Sequence, residues 1–215
     1  MLIVGAKGHA REILQIFQEM RSTENLFFFD NVSSNLPDKL FDQFPIVKDF
    51  EAVKSIFKID NKFVLGLGLP SHRRYLAKVF TDLGGELFSI ISPYARIGSF
   101  DVQLGKGLNI MTNVIIYNEI KIGQGCLLNT SCSIHHNADI GDFCEISPGA
   151  RILGDVKLGN DCRIGSNAII LPKLKIGNNV IVGAGAVVTK NVPDNTLAIG
   201  IPATFKPIEG NLDYK

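Results

Sequence analysis

No run of apolar residues in this chain approaches the roughly 18 that a transmembrane helix requires, so no helical membrane span is expected. Basic clusters are missing as well: 22 lysines and arginines nearly cancel 21 acidic residues, leaving a net charge of +1. That balance gives no electrostatic grip on nucleic acid or on an anionic lipid surface. The first residues lack the charged region, apolar core and small-residue cleavage site of a secretory signal, and a cytoplasmic location is expected. The four cysteines never stand at Cys-x-x-Cys spacing, which argues against a structural zinc site, and reduced thiols fit the same compartment. No segment is of low complexity. What remains is a chain of 215 residues, long enough for one large domain or two small ones.

From Leu104 to Val188 an aliphatic residue returns at every sixth position: Leu104, Ile110, Ile116, Ile122, Leu128, Ile134 and so on without a miss. A short fixed period is the signature of a solenoid, in which each repeat buries its apolar face on its neighbours. Six is a poor fit to a helix of 3.6 residues per turn and a good fit to short extended segments joined by corners. Gly105, Gly123, Gly141, Gly159 and Gly177 follow the anchors at intervals of 18. Three hexapeptides therefore close one coil of a triangular prism, and these glycines mark a corner needing either a positive φ or close backbone approach. Residues 18 apart stack on adjacent coils about 4.8 Å from each other, and five coils fit between Leu104 and Pro193, a stack of about 24 Å. Cys126, Cys132, Cys144 and Cys162 all stand four residues after an anchor, a slot otherwise held by small residues such as Ala138 and Ala150. They read as compact inward hydrophobes.

Residues 1–91 have a different texture, and a domain boundary is placed near Ser92–Pro93, with residues 92–215 forming the β-helix and a C-terminal tail. Leu2–Val4, Leu26–Phe29, Phe63–Leu67 and Leu87–Ile91 read as strands. Between the first two, Ile13, Leu14, Phe17 and Met20 recur at helical spacing. After the third, Ser71 would cap a helix bearing Tyr75, Leu76, Val79, Phe80 and Leu83. Alternating strands and helices indicate a small parallel sheet of Rossmann type. The turn Gly5-Ala6-Lys7-Gly8-His9-Ala10 joins strand to helix, where backbone N–H groups and the helix dipole can hold a phosphate. It lacks the full dinucleotide fingerprint, so a tight turn without a ligand is the competing reading. Asp30 ends the second strand, placed to meet a ribose or base.

Only two of the four histidines, His135 and His136, fall in the repeats. Asn129 comes from the preceding face of the same coil, and stacking puts Gly154 directly above His136. An imidazole beside an unobstructed backbone N–H is the minimum apparatus for acyl transfer. Two adjacent histidines cannot supply the three zinc ligands of a γ-type carbonic anhydrase, which shares the prism.

The Gly5–Ala10 turn, the stretch Asn129-Thr130-Ser131-Cys132-Ser133-Ile134-His135-His136-Asn137-Ala138-Asp139-Ile140-Gly141-Asp142, the segment Ile146-Ser147-Pro148-Gly149-Ala150 and the ending Gly200-Ile201-Pro202-Ala203 together carry a resemblance. They resemble the hexapeptide-repeat sugar acyltransferases that join a small Rossmann-like domain to a left-handed β-helix. Among these are the N-acetyltransferases of nucleotide-linked amino-sugars in surface-glycan biosynthesis and the sialic acid O-acetyltransferases. The resemblance implies a left-handed parallel β-helix and a homotrimer with sites between protomers. Acetyl-CoA would be the co-substrate, with no metal, and the acceptor a nucleotide-sugar or a sialic acid. His136 would be the general base for direct attack on the thioester, with Gly154 donating to the oxyanion. Asn129 would contact the acceptor sugar, while Gly5, Lys7, Gly8, His9, Asp30 and Asn31 hold the nucleotide. Acetyl-CoA would run past Gly154, Gly165, Gly183 and Ala184. Where relatives carry an acidic residue after the histidine this chain has Asn137, which cannot neutralise an imidazolium. One of Glu119 and Asp155, 18 residues to either side of Asn137, or Asp142, is expected to take the orienting role; ordinary solvated surface charges are the competing reading. His135 is an alternative base, Arg73 and Arg74 could bind a pyrophosphate or carboxylate, and a non-catalytic scaffold is the remaining reading.

Overall fold

The computed structural model describes residues 1–208; positions 209–215 of the expected C-terminal tail lie outside the described residues. The first sheet contains β1 (Leu2–Val4), β2 (Phe27–Phe29), β3 (Lys39–Leu40), β4 (Phe44–Val47), β5 (Lys62–Leu65) and β6 (Glu86–Leu87), in the spatial order β3-β4-β2-β1-β5-β6. All pairings are parallel except the β3–β4 hairpin. The short all-apolar strands follow from this, because a parallel sheet is covered on both faces. Helix α1 (Gly8–Glu19) buries Ala10, Ile13, Leu14, Ile16 and Phe17, the face its spacing predicts. Helix α2 (Phe50–Phe57) and the hairpin were not legible in the sequence. Asp49 caps α2 by accepting from the Ala52 N–H at 2.8 Å.

Two expectations need correcting. Helix α3 spans Pro70–Asp82 with Leu69 as its N-cap and Pro70 in the first turn; Ser71 is already inside it and caps nothing. Proline replaces the capping side chain because its missing N–H is one of those the helix leaves unpaired. The strand expected over 87–91 is split between two sheets. Leu87 pairs with Phe63 in the first sheet, whereas Ile90–Ile91 opens the first coil of the prism and pairs with Asn109–Ile110 of the second.

The remainder is a left-handed parallel β-helix of three sheets built mostly from two-residue strands. Registers such as Ile110↔Leu128, Ile134↔Ile152 and Ile140↔Leu158 are all 18 residues, as the stacking rule requires. The stack has one coil more than the anchor count suggests. In the first coil Ile97 and Leu104 are seven apart, so Ile116 pairs with Ile97 at an offset of 19 and the six-residue period is broken. The last coil is shortened, closing on a bridge from Ile176 to Val192, and is capped by an antiparallel hairpin, Thr196–Gly200 with Ala203–Pro207.

The corner glycines have ordinary φ values; what they need is the close approach. A Cβ on Gly105 would lie 2.6 Å from the Gln124 amide nitrogen, and one on Gly141 2.7 Å from the Gly159 carbonyl carbon. Positive φ is found two residues further on, in the column Gly107–Gly125–Phe143–Asp161–Asn179, and at the matching places of the other two corners, Asn113–Ser131–Gly149–Asn167 and Glu119–Asn137–Asp155–Lys173. Asn and Asp tolerate that region better than most side chains, which explains their frequency there. Inside the prism the cysteines are buried and free, and Cys126, Cys144 and Cys162 form a column. Their thiols donate to the carbonyls of Gly141, Gly159 and Gly177 at 3.1, 3.0 and 3.0 Å.

The two halves are locked together by α3. The Arg73 guanidinium is fully buried and donates to the carbonyls of Gly125, Leu65, Leu67 and Cys126 at 2.9, 3.1, 2.8 and 3.3 Å. Burial draws its pKa down to about 10, so it stays charged at neutral pH. Arg74 makes a two-pronged ion pair with Asp161 (2.8 and 2.9 Å) and lies over the Phe143 ring. Arg73 is therefore out of reach of an anionic ligand and Arg74 is engaged by Asp161, whereas their place after the third strand suggested an anion site.

Candidate active site

At the carboxyl ends of β1, β2 and β5 lies a cavity of about 440 Å³. Gly5, Ala6 and Lys7 form one wall, Asp30 and Asn31 a second, and Gly66, Leu67, His72 and Tyr75 a third. The third wall is the turn after the third strand, where Arg73 and Arg74 were expected to meet an anion; Gly66, Leu67, His72 and Tyr75 line it instead. Gly5 has φ +113, and a Cβ there would meet the Gly66 carbonyl oxygen at 2.8 Å, so glycine is obligatory for both reasons. Asp30 turns its carboxylate inward on its own loop. It accepts from the N–H groups of Val32 and Ser33 and from the Ser33 hydroxyl, which sets the wall's shape.

Gly8 and His9 do not line this cavity. Gly8 opens α1. His9 faces the β-helix: Nδ1 is 3.0 Å from the Glu12 carboxylate and Nε2 is 3.0 Å from the Asn109 amide nitrogen. The His9 hydrogen bond holds the Glu12 carboxyl below its ordinary range, against a smaller opposing effect of burial.

The stacking of His136 on Gly154 is realised. A Cβ built on Gly154 would overlap the His136 ring, so a side chain there would displace the imidazole from this place. The surrounding corners explain why this spot is chemically open. Along the neighbouring edge of the prism the N–H two residues past each anchor is taken by an acidic or amide side chain one coil on. Gln124 donates to Asp142, Asp142 to Asn160, Asn160 to Asn178 and Asn178 to Asp194, at 2.7–3.0 Å. On the His136 edge the same ladder starts with Phe100 donating to Asn118 at 3.2 Å and then stops. The next rungs are His136, Gly154 and Pro172, and neither Gly154 nor Pro172 has a side chain that accepts. Among the described residues the Gly154 N–H donates to no group of the chain, and the His136 ring nitrogens have no partner.

The neighbours of His136 divide clearly. The Asn137 amide donates to Asp155 at 3.2 Å, so this carboxylate reaches the residue after the histidine, not the ring. Asp142 is on the other edge with both oxygens held by Gln124, which removes it as an orienting group for His136. Glu119 falls in the positive-φ column below Asn137, as the stacking rule places it. His135 lies flat on Tyr117, ring centroids 4.9 Å apart, with Nε2 3.2 Å from the Ser133 hydroxyl. Burial, followed by the charges of His136 and Arg151, lowers its pKa.

Asn129 and the glycines assigned to the co-substrate are on a different edge. Asn129 closes the corner before the Ser133–Ile134 strand, His136 the corner after it, so one face of the prism separates them. Gly165 stacks under Gly183–Ala184 in the Asn129 column, a Cβ on it reaching within 2.6 Å of the Ala184 amide nitrogen. Among the described residues no group of three or more His, Cys, Asp or Glu is placed to hold a metal, and no helix is long and apolar enough to cross a membrane.

Comparison with known proteins agrees with both halves. The model of the bacterial transferase hexapeptide (six repeats) matches residues 155–190, and that of the PglD N-terminal domain matches residues 1–80. No curated protein matches significantly. Among solved structures the chain is similar to PerB from Caulobacter crescentus in complex with CoA and GDP-perosamine. The identity is 29% and the TM-score 0.85, over 95% of this chain and 96% of that one. It is also similar to the acetyltransferase domain of PglB from Neisseria gonorrhoeae FA1090 in complex with acetyl coenzyme A, at 25% identity and TM-score 0.86 over 96% and 98%. WeeI from Acinetobacter baumannii AYE shares the fold at 24% identity and TM-score 0.84, over 95% and 98%.

Proposed function

We propose that this chain, a hexapeptide-repeat acyltransferase with a PglD-type N-terminal domain, transfers the acetyl group of acetyl-CoA to the amine of a nucleotide-linked amino-sugar. The observation that carries the reading is the His136–Gly154 pair: an unpartnered imidazole lying over a glycine whose N–H is also unpartnered. The amine nitrogen adds to the thioester carbonyl and the C–S bond breaks. His136 accepts the proton shed by nitrogen and returns it to the departing sulfur. The Gly154 N–H donates to the carbonyl oxygen as it gains negative charge, where a pre-aimed donor counts most. The nucleotide occupies the cavity bounded by Gly5–Lys7 and Asp30–Asn31, at the carboxyl ends of parallel strands where such ligands bind. Likeness to PerB, solved with CoA and GDP-perosamine, supports an amine acceptor on a nucleotide carrier. Arg73 and Arg74, which could have met a pyrophosphate or a sialic acid carboxylate, are paired within the fold instead.

Because Asn129, Gly165, Gly183 and Ala184 line one edge and His136 and Gly154 the next, a complete site takes both edges from different protomers of a homotrimer. The acceptor and the thioester then meet in the crevice between two β-helices.

The substrate class is tested by CoA thiol release with UDP-, dTDP- and GDP-linked 4-amino-sugars beside CMP-sialic acid and free sialic acid. Turnover confined to an amino-sugar is expected. Turnover only on sialic acid would move the assignment to O-acetylation, and absence of acetyl-CoA binding would leave a scaffold.

A further inference from the structure

We propose that Arg73 is a positioning residue for the acceptor, tying the Gly66–Leu67 wall of the nucleotide cavity to the coil that carries His136. This inference rests on the acceptor reading given above. Leu65 and Leu67, whose carbonyls Arg73 holds, flank Gly66 and run directly into that wall. Gly125 and Cys126, held by the other side of the same guanidinium, lead into Leu127–Leu128, the first strand of the coil that continues through Asn129 to His136. One planar cation thus joins the cavity wall to the strand that leads into Asn129, the acceptor-contacting edge of the same protomer.

The Leu65 carbonyl is a shared hub. Besides Arg73 it accepts from the Asn109 amide at 2.6 Å, and Asn109 belongs to the coil immediately before. Asn109 is fully buried, and its own oxygen has no hydrogen-bond partner. Two buried polar groups, one of them charged and without a carboxylate within ion-pair distance among the described residues, converge on one carbonyl. That is a costly way to dock a helix, since apolar side chains of similar volume achieve it without desolvating a cation. It does give directional control: a guanidinium presents donors in a rigid fork, fixing both carbonyl pairs in one plane, which an ammonium cannot do. Reacting groups must be held to a fraction of an ångström, and a displacement of about 1 Å costs about a hundredfold in rate.

The test uses the full chain. Wild type, Arg73→Lys, Asn109→Leu and Arg74→Gln are compared for binding of UDP, dTDP and GDP by calorimetry, for kcat/KM on the acceptor, and for KM of acetyl-CoA. Arg73→Lys is expected to keep nucleotide affinity within about threefold and acetyl-CoA KM within about twofold while kcat/KM for the acceptor falls by about tenfold to a hundredfold. Arg74→Gln, which cuts only the exposed pair with Asp161, is expected to change none of these. Acceptor kcat/KM in Arg73→Lys within about twofold of wild type would overturn the inference, as would parallel loss of nucleotide affinity, acetyl-CoA binding and melting temperature. If Arg73→Lys does not fold, Asn109→Leu decides by the same criterion. A wild type that binds no nucleoside diphosphate would instead sink the acceptor reading itself.

Discussion

His135 and His136 are adjacent in the chain, yet the corner between them sends their rings into different surroundings. His136 lies over a bare backbone with no partner, whereas His135 is pinned between Tyr117 and the Ser133 hydroxyl. Turnover is therefore expected to collapse in His136→Ala and to persist in His135→Gln. The His135 environment leaves a separate mark on stability. Its folded pKa is below the ordinary 6.5, so the unfolded chain takes up a proton at a higher pH than the folded one. Stability accordingly falls as pH drops through 6.5 towards the folded value. His135→Gln should flatten that part of a melting-temperature profile taken from pH 7.5 to 5, and an unchanged slope would reject the assignment. Asp155 reaches Asn137 and Glu119 does not, so Asp155→Ala is expected to lower kcat by about tenfold or less and shift its pH profile while Glu119→Ala leaves both alone. The 18-residue stacking rule, legible in the sequence, puts Gly154 on His136 and Asp155 on Asn137 as the structure has them. It could not have found the role of Arg73, because nothing in the sequence says which face of α3 the β-helix covers.

Repeats are legible where one short element recurs in register, and here each anchor predicts the next. Buried anchors such as Ile152, fully enclosed between coils, bear the consequence. Ile152→Asp is expected to cost several kcal/mol, since it buries an unpaired carboxylate, and soluble trimers with unchanged melting would contradict the register. The cysteine column makes a chemical statement about the same interior. Burial pushes the Cys132 thiol up to about 12, and hydrogen bonds with Cys126 and Cys162 push Cys144 well above its ordinary range. Thiol reagents should leave all four unmodified in the native protein and react only after denaturation. The parts missed were short and aperiodic. A two-residue strand in the β3–β4 hairpin shows no alternation, α2 is only eight residues long, and one inserted residue before Leu104 concealed the first coil.

The whole molecule is a stack of coils with a second domain fastened to it by α3, and the proposed chemistry would draw Asn129 and His136 from edges of different protomers. If sites form between protomers, Asn129→Ala and His136→Ala chains are each expected to be inactive alone. Coexpressed mixed trimers should regain part of the wild-type rate, because some crevices then combine two intact edges; no recovery would mean each site belongs to a single chain. The most direct test of the account is the acetyl-transfer rate of His136→Ala against wild type, measured on the best amino-sugar acceptor with folding and acetyl-CoA binding checked in both. A fall of about 10²–10⁴ in kcat with binding retained is the predicted result for a lost general base. Wild-type-like turnover would place the base elsewhere and contradict the central claim.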